Sequence, residues 1–139
     1  MAHSSGQTRP TALVVDDSWY MQLTMADVLE AEGYRVHTAA DGSSALDLYD
    51  EVRPDVVLMD LVLPDLDGIS AMQGIRRLDS DARVVVVTGL LDDGARLAAM
   101  RSGASGFLPK PFSVDLLLRA VETVKKAPAI MAPQLQFAG

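Results

Sequence analysis

The 139-residue sequence predicts a doubly wound α/β fold, a five-stranded parallel sheet with five helices packed on its two faces. Two observations lead there. Stretches 12–15 (ALVV), 55–59 (DVVLM) and 83–88 (RVVVVT) contain unbroken valine-rich runs, the pattern of strands buried on both sides. Between the strands lie segments of helical period, which supply the crossovers that parallel pairing needs.

The elements follow in order. After the first strand, residues 19–32 place Met21, Met25, Val28 and Leu29 on one helical face, and Gly33 closes that helix. Residues 34–39 (YRVHTA) alternate more and predict an edge strand. A helix over 43–52 aligns Ala45, Leu48, Tyr49 and Val52. The third strand, 55–59, runs into a turn over 60–68, and a helix carrying Ile69, Met72, Ile75, Arg76 and Leu78 follows. After the fourth strand, Asp92 and Asp93 sit where a helix dipole favours acids, ahead of Leu97, Ala98, Met100 and Arg101. Residues 105–109 (SGFLP) make a short fifth strand. Ser113 caps a last helix bearing Leu116, Leu117, Ala120, Val121 and Val124, with Lys125 and Lys126 at its basic end.

Composition narrows the function classes. Nineteen acids against 12 bases give a net charge of −7, which argues against a grip on nucleic-acid phosphates. There is no cysteine, so neither a disulfide framework nor a thiolate metal site applies, as suits a cytoplasmic protein. No apolar stretch reaches the roughly 20 residues that cross a bilayer. Residues 1–10 (MAHSSGQTRP) lack the apolar core of a signal peptide and are expected to be a disordered leader. Residues 11–126 form the domain, and 127–139 are a Pro/Ala-rich tail or the start of a linker. His3 and His37 are expected at the surface, and the seven methionines fill core space.

Chemistry collects where the strands end. In a parallel sheet the C-terminal strand ends share one edge, where ligands bind. The first strand ends in Asp16 and Asp17, the third in Asp60, the fourth in Thr88, and the fifth approaches Lys110. Any one of them alone reads as a helix cap, a strand residue or a solvated lysine; the set converging on one edge does not. Three crowded carboxylates repel, and at neutral pH they call for a cation or a proton. A hard divalent ion, Mg²⁺ or Mn²⁺, accepts such oxygen ligands, and the backbone carbonyl of Val62 can add another. With phosphoryl charge so neutralised, Asp60 can attack phosphorus, Lys110 can pair with phosphoryl oxygens and Thr88 can donate its hydroxyl.

The segments VVDDS (14–18), LMDLVLPDLDG (58–68), VVVVTG (84–89) and GFLPKPF (106–112) together resemble the response-regulator receiver domain of two-component signalling. The resemblance spans about residues 11 to 126. It implies a flavodoxin-like strand order of 2-1-3-4-5, and phosphorylation of Asp60 by a sensor histidine kinase or a histidine phosphotransfer protein. It implies Asp17 as direct metal ligand, Asp16 as its water-linked neighbour, and a cis Lys110–Pro111 bond. Self-phosphotransfer and auto-dephosphorylation would then be the only catalysis. Phe107 would be the rotameric partner of Thr88, and because phenylalanine cannot hydrogen-bond it is expected to favour the buried position. The output face would comprise the fourth helix, fifth strand and last helix, where Leu97, Met100, Phe107, Leu118 and Val121 offer apolar material to an output domain or a homodimer partner.

Two other functional classes suit the sequence less well. A phosphorylation-independent interaction module on this fold would be expected to lack an acid, the Thr or the Lys, and all are present. A nucleotide or flavin enzyme would need a Gly-rich phosphate loop, where this chain has VVDDSWY. Three further positions bear on phosphoryl lifetime. Gly89 leaves the site uncovered, whereas Val62 and Leu90 are apolar and cannot orient a water for in-line attack, which predicts slow self-dephosphorylation. Trp19, just after the acid pair, is a candidate fluorescence reporter, and Asp65 and Asp67 are expected to be turn or cap carboxylates.

Overall fold

Valine-rich runs become the inner strands of the computed structural model, which describes residues 9–90 and 92–126. Residues 1–8 of the expected leader, with His3, and the tail from 127 onward lie outside the described residues. The chain alternates as β1 (Thr11–Val15), α1 (Trp19–Ala31), β2 (Arg35–Ala39), α2 (Gly42–Val52), β3 (Val56–Met59), α3 (Gly68–Leu78), β4 (Val84–Thr88), α4 (Asp93–Arg101), β5 (Gly106–Pro109) and α5 (Val114–Val124). All pairings are parallel, in the order β2-β1-β3-β4-β5. The alternating segment 34–39 is therefore an edge strand, as its pattern predicted.

Strand pleating divides the core in two. Ala12, Val14, Val56, Leu58, Val85 and Val87 point to one face, where Met25 and Leu29 of α1 and Leu117, Val121 and Val124 of α5 cover them. Leu13, Val15, Val57, Met59, Val84 and Val86 point to the other, against α2, α3 and Ala99 of α4. The helix ends are chemically marked. Ser18, Asp41, Asp67, Asp92 and Ser113 are N-caps whose side chains accept a backbone N–H three residues on. Gly33 takes the left-handed conformation (φ +95°) just past α1, which a Cβ would strain.

Three helical faces differ from their expected burial, and on α3 it is Leu78 that lies exposed. Leu116 is exposed although it belongs to the apolar stripe of α5. Leu117, Val121 and Val124 occupy the sheet-facing line, and neighbouring residues on a helix point roughly 100° apart. On α4 only Ala99 is buried, and Leu97 and Met100 remain exposed. Val121 belongs to the core and Leu118 packs at its edge, so of the five residues expected to offer apolar material only Leu97 and Met100 are exposed.

Candidate functional site

The three central strands deliver their last residues to one place because they are in register. Val15 pairs with Met59 and Met59 with Val86, and the Asp60 N–H continues the ladder to the carbonyl of Val15 at 3.0 Å. Asp16 and Asp60 thus leave the sheet side by side. Asp16 is 1% exposed, Asp60 7% and Thr88 fully buried, so two carboxylates and a hydroxyl are held at the edge of a dry core.

Such groups need partners, and Lys110 supplies one. Its Nζ donates to Asp16 Oδ2 at 2.7 Å and to Asp60 Oδ2 at 2.9 Å. Burial pulls the lysine pKa down, but the hydrogen bonds to Asp16 and then Asp60 outweigh that and hold it above its ordinary value. The remaining oxygens are used by the backbone: Asp16 Oδ1 accepts from Ser18 N–H at 2.9 Å, and Asp60 Oδ1 from Val62 N–H at 3.2 Å. Lys110 is itself placed by β5, its backbone N–H donating to the Thr88 carbonyl at 2.9 Å, and the Lys110–Pro111 bond is cis.

The same edge fits a cation. Asp16, Asp17 and Asp60 each present a carboxylate oxygen, all within 4.8 Å of one another, and Asp17 is exposed. Three carboxylates against one ammonium leave a formal excess of two negative charges. An all-oxygen donor set with that excess suits a hard divalent ion.

Around this group lie the other expected positions. Thr88 Oγ1 accepts from Leu90 N–H at 3.2 Å, which leaves its O–H proton free to donate elsewhere. Gly89 is open: apart from its chain neighbours, no heavy atom of the described residues lies within 4 Å of where a Cβ would stand. Val62 is 55% exposed and Leu90 41%, so both apolar side chains project into solvent from the loops that leave Asp60 and Thr88. Phe107 is half-buried against the core, and the Arg96 guanidinium lies over its ring, 5.2 Å from the centroid. Trp19 is 73% exposed and lines a shallow groove of about 260 Å³ with Gln22, Leu23, Ala26 and Thr38. Its ring therefore faces the α1–β2 side, so amide signals of the site are more direct reporters.

Two relationships had no clear sequence signal. Arg96 is separated from Phe107 by a loop, and only packing brings them together. Asp65 does more than cap its own turn: it accepts from Gly42 N–H at 2.7 Å and Ser43 N–H at 3.0 Å, at the start of α2. The spacing of 23 residues hides that contact from any local motif.

Known proteins are similar to this chain in sequence and fold. The family model described as response regulator receiver domain matches residues 12–122. The chemotaxis protein CheY of Bacillus subtilis is 34% identical over 110 residues, covering 78% of this chain and 92% of that protein. The transcriptional regulatory protein PrrA of Mycobacterium bovis is 35% identical over 120 residues, 86% of this chain and 52% of PrrA. Among solved structures, a chain of the CheX-CheY-BeF3-Mg²⁺ complex from Borrelia burgdorferi superposes with a TM-score of 0.79 at 29% identity, over 82% of this chain and 87% of that one. The BeF3-activated DrrB receiver domain gives 0.76 at 30% identity, over 84% and 97%.

Proposed function

The chain belongs to the response regulator receiver domain family, and on that premise we propose that it is a phosphorylation-dependent switch whose phosphoacceptor is Asp60. The observation that carries this is the pairing of Lys110 with both Asp16 and Asp60, inside a carboxylate cluster with divalent charge to spare. The donor is a sensor histidine kinase or a histidine phosphotransfer protein. As the Asp60 oxygen bonds to phosphorus, the donor's phosphorus–nitrogen bond breaks and the imidazole departs with that electron pair. The reverse signal is hydrolysis: water attacks phosphorus, the Asp60 oxygen–phosphorus bond breaks and inorganic phosphate leaves.

Asp16, Asp17, Asp60 and the Val62 carbonyl are the groups that would hold Mg²⁺, and Mn²⁺ would suit the same donors. When bound, the ion supplies charge neutralisation for the phosphoryl oxygens. Lys110 exchanges a carboxylate oxygen for a phosphoryl oxygen, so that its ammonium stays in a charge-assisted hydrogen bond. Thr88 donates its free O–H proton to a second phosphoryl oxygen, and Phe107 follows the movement of Thr88 inward. The α4-β5-α5 face, with Leu97 and Met100 exposed, then meets an output domain or a second copy.

Residues 11–126 form the receiver in this reading, with 127–139 a tail or the start of a linker. The match over 12–122 and the end of α5 at Val124 support that boundary. Among the described residues no helix is long and apolar enough to cross a membrane. We place the switch in the cytoplasm, without direct nucleic-acid contact by this domain, as its acidic charge supports.

The similar Borrelia chain occurs with BeF3 and Mg²⁺, and the same pair tests this reading. Beryllofluoride added with Mg²⁺ should shift the amide signals of Asp60, Thr88 and Lys110, and D60N should abolish the response. An unresponsive wild-type protein, or a D60N variant that responds equally, would overturn it.

A further inference from the structure

The loop that leaves Asp60 is held at two points. At its base, Gly68 N–H donates to the Leu61 carbonyl at 2.9 Å, and Gly68 packs so closely on the Asp60 carbonyl that a Cβ would overlap it. At its tip, the Asp65 carboxylate bridges the first two N–H groups of α2, Gly42 and Ser43, at 2.7 and 3.0 Å. Those groups have no partner within their own helix. Asp41, the N-cap, takes the next one, from Ser44, at 2.8 Å. Gly42 is buried against Leu66, whose Cβ would lie 2.9 Å from a Cβ added at Gly42, so helix and loop are also pressed together sterically. Between the two anchor points sits Val62, whose N–H donates to Asp60 Oδ1 at 3.2 Å.

We propose that Asp65 is a positioning residue that clamps the loop following the phosphoacceptor to the start of α2, and thereby sets how Val62 is presented to Asp60 and to the divalent ion. The inference deepens the reading of Asp60 as the metal-assisted phosphoacceptor and rests on it. Asp65 touches neither phosphoryl group nor ion; it acts through the backbone of residues 62–65. Two carboxylate–amide bonds at a helix N-terminus are charge-assisted, and the helix dipole favours the anion there. Removal of Asp65 leaves the base of the loop closed by Gly68 and frees its tip. Val62, next to the held base at Leu61, then loses the restraint that reaches it from the tip, and its N–H bond to Asp60 Oδ1 is no longer fixed from both sides.

The test is Mg²⁺ titration of wild-type, D65N and D65A proteins, followed by the amide signals of Asp60, Val62, Gly42 and Ser43. D65A is expected to weaken Mg²⁺ binding by about tenfold, the lower end of what partners outside the ligand shell contribute. D65N, which keeps an acceptor but not the charge, should fall between. The phosphoryl lifetime on Asp60 should change in the same order, whereas a purely structural role for Asp65 would lower stability and leave both readouts unchanged. Where D65A unfolds, D65N is read in its place. Equal Mg²⁺ affinity and lifetime in variants whose Gly42 and Ser43 signals have moved would overturn the clamp alone. A wild-type protein that binds no Mg²⁺ would overturn the reading of the site and the clamp with it.

Discussion

The guanidinium of Arg96 lies over the ring of Phe107, 5.2 Å from its centroid, and so couples α4 to the residue of β5 expected to follow Thr88. An exposed cation–π contact is worth about 0.5–1 kcal/mol. It holds the ring in its half-buried position and is lost if the ring turns inward. R96A is therefore expected to raise the apparent affinity for beryllofluoride by about two- to fivefold. The same change in an F107A background should do nothing. Titration of the four proteins checks this, and a fall in affinity on removing Arg96 would contradict it.

Val62 and Leu90 should lengthen the life of the aspartyl phosphate. Both are exposed apolar residues whose side chains give an attacking water no hydrogen bond. A V62N/L90E double variant is expected to lose phosphate faster than wild type by at least about tenfold, given what positioned polar groups contribute. Decay of purified phosphoprotein in Mg²⁺ measures it. Equal rates, or a wild-type lifetime of seconds, would remove the slow-decay reading.

Acid should weaken the fold through particular carboxylates. The N–H groups of Gly42 and then Ser43 hold Asp65 at a pKa of about 2, against the ordinary 3.8. Hydrogen bonds from Lys126 and then Tyr49 likewise hold Asp79 well below the usual carboxylate range. Because the folded pKa values are depressed, their stabilisation is complete above the ordinary value and disappears as pH falls through the folded one. Urea midpoints should therefore drop between about pH 4 and pH 2, and D65N should flatten that slope. An unchanged slope in D65N would count against it.

Gly68 should tolerate no side chain. A Cβ there would overlap the Asp60 carbonyl oxygen, a backbone atom that cannot swing aside. G68A is expected to cost about 1–3 kcal/mol or more in denaturant unfolding, with the amide signals of Asp60 and Leu61 displaced. G74A is the contrast. A Cβ at Gly74 would meet the side chain of Leu46, most closely its Cδ2 at 2.8 Å, a flexible end that can turn away, and its cost should be smaller.

Valine runs buried on both faces, helical stripes and cap residues are local patterns. The sequence alone therefore determined the alternation of strands and helices, and it singled out Asp16, Asp17, Asp60, Thr88 and Lys110, because parallel strands bring their C-terminal ends to one edge. The tertiary structure decided what depends on distances between residues far apart in the chain. It joined Lys110 to both Asp16 and Asp60, laid Arg96 over Phe107, and set Asp65 on the first turn of α2. It also left Leu97, Met100 and Leu116 exposed, where apolar patterning alone could not separate core from surface. Periodicity reports which side of a helix is apolar; only packing shows which of those residues the sheet covers.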